Sequence, residues 1–536
     1  MKKLLVLAMM ATLLMAGSAF AINRHLAPAP NATFTTGLPG VPAGPTTTNN
    51  DDSCDIGVAP AATLLLPYFE VDVTNRTQTT LFTITNVSRY PQIAHVTVWT
   101  DFSFPVLDFN IFLTGYDVQG INLLDILTTG TVGTTAGTGP TAAQSPLGTA
   151  GSAPSLTLPA NGGPGYTNPN FLSSGIGCGN LPGILPSTAI APVRTALTAG
   201  TYPGCASVGR VHANAIGYIT IDVAASCTTA LPNDPGGAYF TSPGGILYDN
   251  VLIGDYQQLG PAPAGTTATS FDAGGNAMVH IRAVPEGGNA GTAPGTNLPF
   301  TFYDRYTPAA NRTLDRRQPL PSTWAARYIQ GGAGAFATNY KIWREGFGTG
   351  TTCSTLPANG ALTIGEIVRF DEHENPFISA SGANCSPALF CGPGTITLPE
   401  TSSTSTADTT IYPTLTGPDV GGWMYLNLNN GGSSTYSVTR AGIPQAGGVS
   451  NLGSPRPSQN WVIVEMFGNV GTNRLTVDFD AAWLGNGCSP AAAVSIANSG
   501  PGVIGPAGGV FVCPAPLTPG NGCPAAPVGT NTTPLP

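Results

Sequence analysis

Glycine and proline set the limits of this chain: 69 glycines and 50 prolines stand among its 536 residues, about twice their usual combined share. They are the two poorest residues for a helix interior, so a long helical protein is excluded. A chain interrupted so often by turn formers folds through short elements joined by many loops. It still has material for a core, because 42% of its residues are hydrophobic. That content excludes the charge-rich kind of disorder, which requires low hydrophobicity. Only 9% of residues are charged, and the formal net charge is −9. A nucleic-acid partner does not fit so acidic a chain, since phosphate neutralisation needs lysine and arginine.

The first 21 residues have the layout of a secretory signal peptide. Lys2 and Lys3 form the charged start, Leu4 to Leu14 the apolar stretch, and Ala19-Phe20-Ala21 the small-residue cleavage site. The apolar stretch is too short for a membrane anchor, and no other run predicts a transmembrane helix. The expected location is therefore beyond the inner membrane: periplasm, cell surface or medium. Removing the signal leaves Lys341 as the only lysine. Ten cysteines follow the signal. Export and an even count favour disulfides over zinc. Cys178–Cys205, Cys385–Cys391 and Cys513–Cys523 are local pairings, each closing a Gly/Pro-rich loop at a gain of about 2–4 kcal/mol. Other connectivities stay open.

Residues 22–53 read as a flexible Pro/Thr/Asn-rich leader. Residues 54–127 form a first β region with the clearest period-2 patterning. Phe82 and Ile84 share one face; Ala94, Val96 and Val98 alternate with His95, Thr97 and Trp99; Leu107, Phe109 and Ile111 alternate with Asp108, Asn110 and Phe112. Residues 128–204 are dominated by Gly, Thr, Pro and Ala and read as a low-complexity insertion that contains the domain boundary. Patterning returns over 205–488, a second β region, and residues 489–536 read as a Pro/Gly/Ala-rich tail. Within the second region, Thr323 to Ile329 is the best helix candidate. No fixed-period repeat is visible. The expected class is all-β: antiparallel β-sandwich-like domains with long Gly/Thr/Pro-rich insertions, because a half-apolar sheet needs a second layer to bury its face.

Three groups of segments carry a resemblance. They are LLLPYFEVD with TLFTITNVS and AHVTVWTDFSFPVLDFNIFLTGYDVQGINLLDIL, NVLIGDYQQL with MVHIRAVPEG, and WVIVEMFG with VDFDAAWLGNGC. Together they resemble an uncharacterised family of exported bacterial β-rich proteins, over most of Ile56 to Cys488. The first block also resembles the strand pattern of immunoglobulin-like surface modules. The resemblance implies a secreted β-rich protein whose two strand-rich regions travel as one unit. It brings no activity and no functional residues.

The sequence holds no nucleophile elbow, zincin motif, phosphate-binding loop, Rossmann fingerprint or EF-hand loop. The densest group of hard oxygen ligands is Asp371, Glu372 and Glu374, around His373 at a strand end, which could hold calcium. A solvated turn ending at Pro376 explains the same residues. Asp478 and Asp480 share one strand face, spaced as glycosidase carboxylates could be; the preferred reading is outward-facing polar residues of an amphipathic strand. Asp304, Arg305, Arg312, Asp315, Arg316, Arg317 and Arg327 form the one charge-rich neighbourhood. They read as an anion grip or, preferably, as an internal ion-pair network ordering a linker. His95, His212 and His280 are scattered over strands. Trp99, Trp423, Trp461 and Trp483 could stack on sugars, although apolar flanks favour core packing. The expected function is a structural or adhesive surface or extracellular protein, with self-association or a surface glycan or matrix as partner. The alternative is an extracellular carbohydrate-binding or carbohydrate-hydrolysing protein. No cofactor other than calcium is expected.

Overall fold

The computed structural model describes residues 56–131, 185, 187–233, 238–241, 245–260, 274–284, 286–287, 301–303, 305–306, 315–346, 362–364, 366–374, 376–378, 397–414, 420–428, 459–470 and 473–484. The expected signal, leader and tail, and most of the expected insertion, lie outside them. Among the described residues the chain is all-β, with antiparallel sheets and a few short helices.

The first set of elements is β1 (Thr63–Val71), β2 (Thr79–Asn86), β3 (Gln92–Thr100), β4 (Pro105–Leu113) and β5 (Val118–Asn122). There follow helices α1 (Leu123–Thr129) and α2 (Ser187–Ala199) and the small ribbon β6 (Thr201–Tyr202) and β7 (Cys205–Ala206). Then come β8 (Ala215–Ala224), helix α3 (Ala238–Thr241), β9 (Leu252–Leu259), β10 (Gly275–Ala277) and β11 (Val279–Ile281). These strands form a sheet ordered β11-β1-β8-β3-β4 and a facing sheet ordered β10-β9-β2-β5. The second set is β12 (Thr323–Ile329), β13 (Ala337–Arg344), β14 (Leu362–Thr363), β15 (Glu366–Asp371), β16 (Pro376–Ile378) and β17 (Thr397–Leu398). It continues with β18 (Thr401–Ser405), β19 (Gly421–Asn427), β20 (Asn460–Val470), β21 (Asn473–Asp480) and β22 (Ala482–Trp483). Its sheets are ordered β16-β15-β19-β12-β22 and β18-β13-β20-β21, with β14 and β17 paired separately.

Apart from the two small ribbons, each set contains nine described strands. Numbered along the chain, both sets give a five-stranded sheet ordered 9-1-6-3-4 and a four-stranded sheet ordered 8-7-2-5. The molecule is thus a tandem of one sandwich topology. The duplication shows in strand order, whereas insertions of unequal length hide it from a search for a fixed sequence period. The first sandwich draws strands from both sides of residues 128–204, because β8 lies between β1 and β3. The division between sandwiches therefore falls after β11, not in the insertion where composition placed it.

Local sequence explains the main strands. In β2 the buried Phe82 and Ile84 alternate with half-buried threonines. Strand β3 is buried along its whole length, as a strand covered on both faces must be. In β8, Gly217 permits close approach: a Cβ there would lie 2.1 Å from the Trp99 carbonyl oxygen. Thr323 to Ile329 is strand β12, not a helix. The Ala-Ala-Arg centre suits a helix, but Trp324, Ala326 and Tyr328 alternate inward, and both neighbours, β19 and β22, pair with it. Helix α2, conversely, lies where no element was expected. It buries Ile190, Val193, Ala196 and Leu197 at helical spacing and packs on β8 and β4. Asn122 caps α1 by accepting from Leu124 N at 3.1 Å, and Gly130 closes it in the left-handed region. No described helix is long and apolar enough to cross a membrane.

Candidate functional site

The two sandwiches share one continuous hydrophobic core. Trp99 of β3 stacks on Tyr218 of β8 at 5.8 Å and on Tyr306 of the linker at 5.9 Å. Tyr218 meets Trp343 of β13 edge-on at 5.9 Å, which carries the aromatic contact into the second sandwich.

Charged groups are threaded through this junction. Arg305 Nη1 lies 3.0 Å from Glu400 Oε2, and Ser103 donates its hydroxyl to the same oxygen. Glu400 N donates to Asp101 O at 3.0 Å. The first sandwich, the linker and the second sandwich therefore converge on one buried carboxyl. Burial pushes Glu400 up to about 7, with Arg305 opposing. Deeper in the first sandwich, Arg317 Nη2 lies 2.9 Å from Asp222 Oδ1 and Nη1 lies 3.4 Å from Asp315 Oδ1. The Tyr239 and Tyr303 hydroxyls each donate to Asp222 Oδ2 at 2.7 Å. Arg316 lies over the Tyr248 ring at 3.8 Å. Arg305, Asp315, Arg316 and Arg317 are thus internal, tying the linker to both sandwiches. Asp304 and Arg312 lie outside the described residues.

Asp478 and Asp480 also face the junction, and each is held by different partners. Asp478 Oδ2 accepts from Lys341 Nζ at 2.7 Å, and that ammonium also lies 3.0 Å from Glu465 Oε1. Burial raises the Asp478 carboxyl to about 6, against the pull of Lys341. Gly274, at φ 89, packs so tightly here that a Cβ would overlap the carboxylate. Asp480 Oδ1 accepts from Trp461 Nε1 at 3.0 Å and from Asn276 Nδ2 of β10 at 3.1 Å. Asp478, expected as an outward polar residue, is instead buried against Gly274, and Asp480 reaches Asn276 of the first sandwich. Lys341 joins β13 to β20 and β21 within the second sandwich.

The calcium candidates do not converge. Asp371 accepts from His373 N at 2.8 Å, and Glu374 N donates to Asp371 O at 3.1 Å, which closes the turn between β15 and β16. Glu372 pairs with Arg327 at 3.1 Å on the surface. Among the described residues no three His, Cys, Asp or Glu side chains are grouped to hold a metal. The histidines are also separate. His95 bonds Asn110 at 3.0 Å, His212 bonds Asp101 at 3.0 Å, and His280 Nε2 accepts from Gly254 N at 3.1 Å. Cys205 and Cys227 are disulfide-bonded; Cys178, Cys385, Cys391, Cys513 and Cys523 lie outside the described residues. Trp99 and Trp461 are buried. Trp483 packs on Trp324 and Trp461. Trp423 is half-buried and stacks on Phe370 at 4.0 Å.

One open cleft lies where the sandwiches meet. It has a volume of about 600 Å³. One wall is Arg210, His212 and Ile216, at the entry to β8; the other is strand β18 with Asp408 and Thr410 beyond it. Asp101 orders the first wall, accepting from Arg210 N at 3.0 Å and bonding His212. The cleft is rich in hydroxyls, and its only aromatic lining residue, Tyr68, is buried. Nothing in the residue types announced this place, because Thr401–Ser405 has no apolar alternation and Arg210 stands alone in sequence. No family model, curated protein or solved structure matches the chain.

Proposed function

We propose that this chain is an exported structural or adhesive protein, acting by contact in the periplasm, at the cell surface or in the medium. The observation that carries the reading is the use made of its reactive side chains. Arg305, Glu400, Asp480 and the tryptophans Trp99 and Trp343 join the two sandwiches, while Arg317 is paired with the first sandwich and the linker and Lys341 with Asp478 inside the second. Among the described residues, sheet edges, loops and the polar cleft face outward. Tandem sandwiches fused across a wide buried seam form a stiff body suited to presenting surface. Low charge density permits close lateral packing, and unpaired strand edges offer pairing sites. The signal-like first 21 residues support export.

The test is fractionation of cells producing the chain, followed by binding of the purified protein to intact cells and to matrix polymers. Export with saturable binding or self-association is expected. A protein retained in the cytoplasm, or exported but monomeric and non-binding at high concentration, would contradict the proposal. Carbohydrate binding is a second reading, favoured by one observation. Trp423 is half-exposed and lies beside the exposed Arg327–Glu372 pair in cross-strand register. A glycan array with a Trp423→Ala control decides it.

A further inference from the structure

We infer that the cleft between the sandwiches is a docking site for an extended peptide, which adds as a strand to β18 and places a carboxylate on Arg210. The inference rests on the contact reading and names the kind of partner that reading leaves open.

Among the described residues, strand β18 is the edge of its sheet and pairs with β13 alone. Arg344 N donates to Glu400 O and Thr406 N donates to Thr338 O. With the register Trp343↔Thr401, Lys341↔Ser403 and Asn339↔Ser405, the even-numbered residues of the strand bond to β13. The odd-numbered ones aim their backbone groups away from it. Ser405 O is taken by Asp408 N. Ser403 is exposed, and its N–H and C=O have no partner among the described residues. These groups open into the cleft, as does Ser403 itself. Ser402 Oγ, also lining it, is buried with no hydrogen-bond partner among the described residues.

The opposite wall supplies charge. The Arg210 guanidinium makes no ion pair or hydrogen bond with any described residue; only its backbone N–H is bonded, to Asp101. Asp408, the acid at the far end, has its Oδ1 turned to Thr410, whose N–H and hydroxyl donate to it at 2.9 and 2.6 Å. An acidic side chain on the incoming strand meets a free cation there. The open backbone ladder favours a peptide, because an incoming strand uses both free backbone groups, and the cleft exposes no tryptophan, tyrosine or phenylalanine for a sugar to stack on.

The tandem topology explains why β18 is open among the edges of the four-stranded sheets. Within each four-stranded sheet, the edges are strands five and eight. The two eighth strands, β10 and β21, pack on each other across the junction, bridged by Asn276 and Asp480. The fifth strands, β5 and β18, are left, and β18 is the one facing a cationic wall.

The test uses the full chain and synthetic peptides of about six residues, alternating Thr and Val, with a central Glu, Gln or Lys, followed by fluorescence anisotropy. The Glu peptide should bind, with the Gln peptide about tenfold weaker and the Lys peptide weaker still. Ser403→Pro removes an outward N–H without breaking the β13 ladder, so it should fold normally and abolish binding. Arg210→Ala should remove the Glu preference. Equal binding to folded Ser403→Pro, no peptide binding at all, or binding of uronate oligosaccharides in place of peptides would overturn the inference. If folded Ser403→Pro still adheres to cells or matrix with unchanged affinity, the contact reading stands and this site is wrong. If the peptide binds as described but the wild-type chain adheres to nothing, the site stands and the contact reading falls.

Discussion

Arg317 shows how single side chains carry this structure. It is fully buried and answers two carboxylates, Asp222 and Asp315, while two tyrosine hydroxyls complete Asp222. A buried pair of this kind contributes little net stability over an apolar replacement, but breaking it leaves an uncompensated charge. Arg317→Leu should therefore destabilise by about 3–5 kcal/mol in urea unfolding. The surface pair Arg327–Glu372 is about half exposed, so Glu372→Ala should change stability by less than about 1 kcal/mol. Two buried groups set opposing pH responses. Glu400 titrates near 7 in the fold against an ordinary 4.5. Between those values the folded chain holds a proton that the unfolded chain has released. Its contribution is full below about 4.5 and is lost as pH rises through 7. His280 is lowered from 6.5 to about 4 by burial. Its contribution is full above 6.5 and is lost as pH falls towards 4. Asp478 and Asp480, each raised from 3.8 to about 6, act in the same direction as Glu400 at lower pH. Glu400→Gln should therefore flatten the slope between pH 6 and 7 and leave the His280 response, as read by denaturation midpoints across this range.

Strands β2 and β3 were legible because their apolar residues alternate at the sheet period; burial follows that alternation in β2, whereas β3 is buried throughout. The period of Ser187–Ala199 was legible too, but Gly/Thr/Pro-rich flanks and Pro192 disguised it. Strand β12 was misread as a helix because its strand character comes from pairing on both sides, which composition does not show. Strand β18, the wall of the cleft, was invisible for a physical reason. An edge strand made of Thr and Ser, lying under the other sandwich, needs no apolar face to be held. The ion-pair role of Arg305, Asp315 and Arg317 was readable from their crowding in an otherwise uncharged chain. Their partners Asp222 and Glu400 were not, being distant in sequence. Two substitutions test the elements. Gly217→Ala should cost about 1–3 kcal/mol, because its methyl overlaps the Trp99 carbonyl and the Phe69 ring. Thr404→Pro should destabilise by about 1–3 kcal/mol through a lost ladder bond, whereas Ser403→Pro should not.

At the scale of the molecule, two copies of one nine-strand topology behave as one body because the seam between them is aromatic inside and ionic at depth. Trp343→Ala opens that seam and should cost about 3–5 kcal/mol. It should also split a single unfolding transition into two. The most direct measurement is native-state hydrogen exchange of the full chain in increasing urea, comparing β3 and β8 of the first sandwich with β13 and β20 of the second. If the buried charges and aromatic rings serve to fuse the sandwiches, amides in all four strands share one opening free energy and one urea dependence. Separate isotherms for the two sandwiches, in the wild-type chain at neutral pH, would contradict that account.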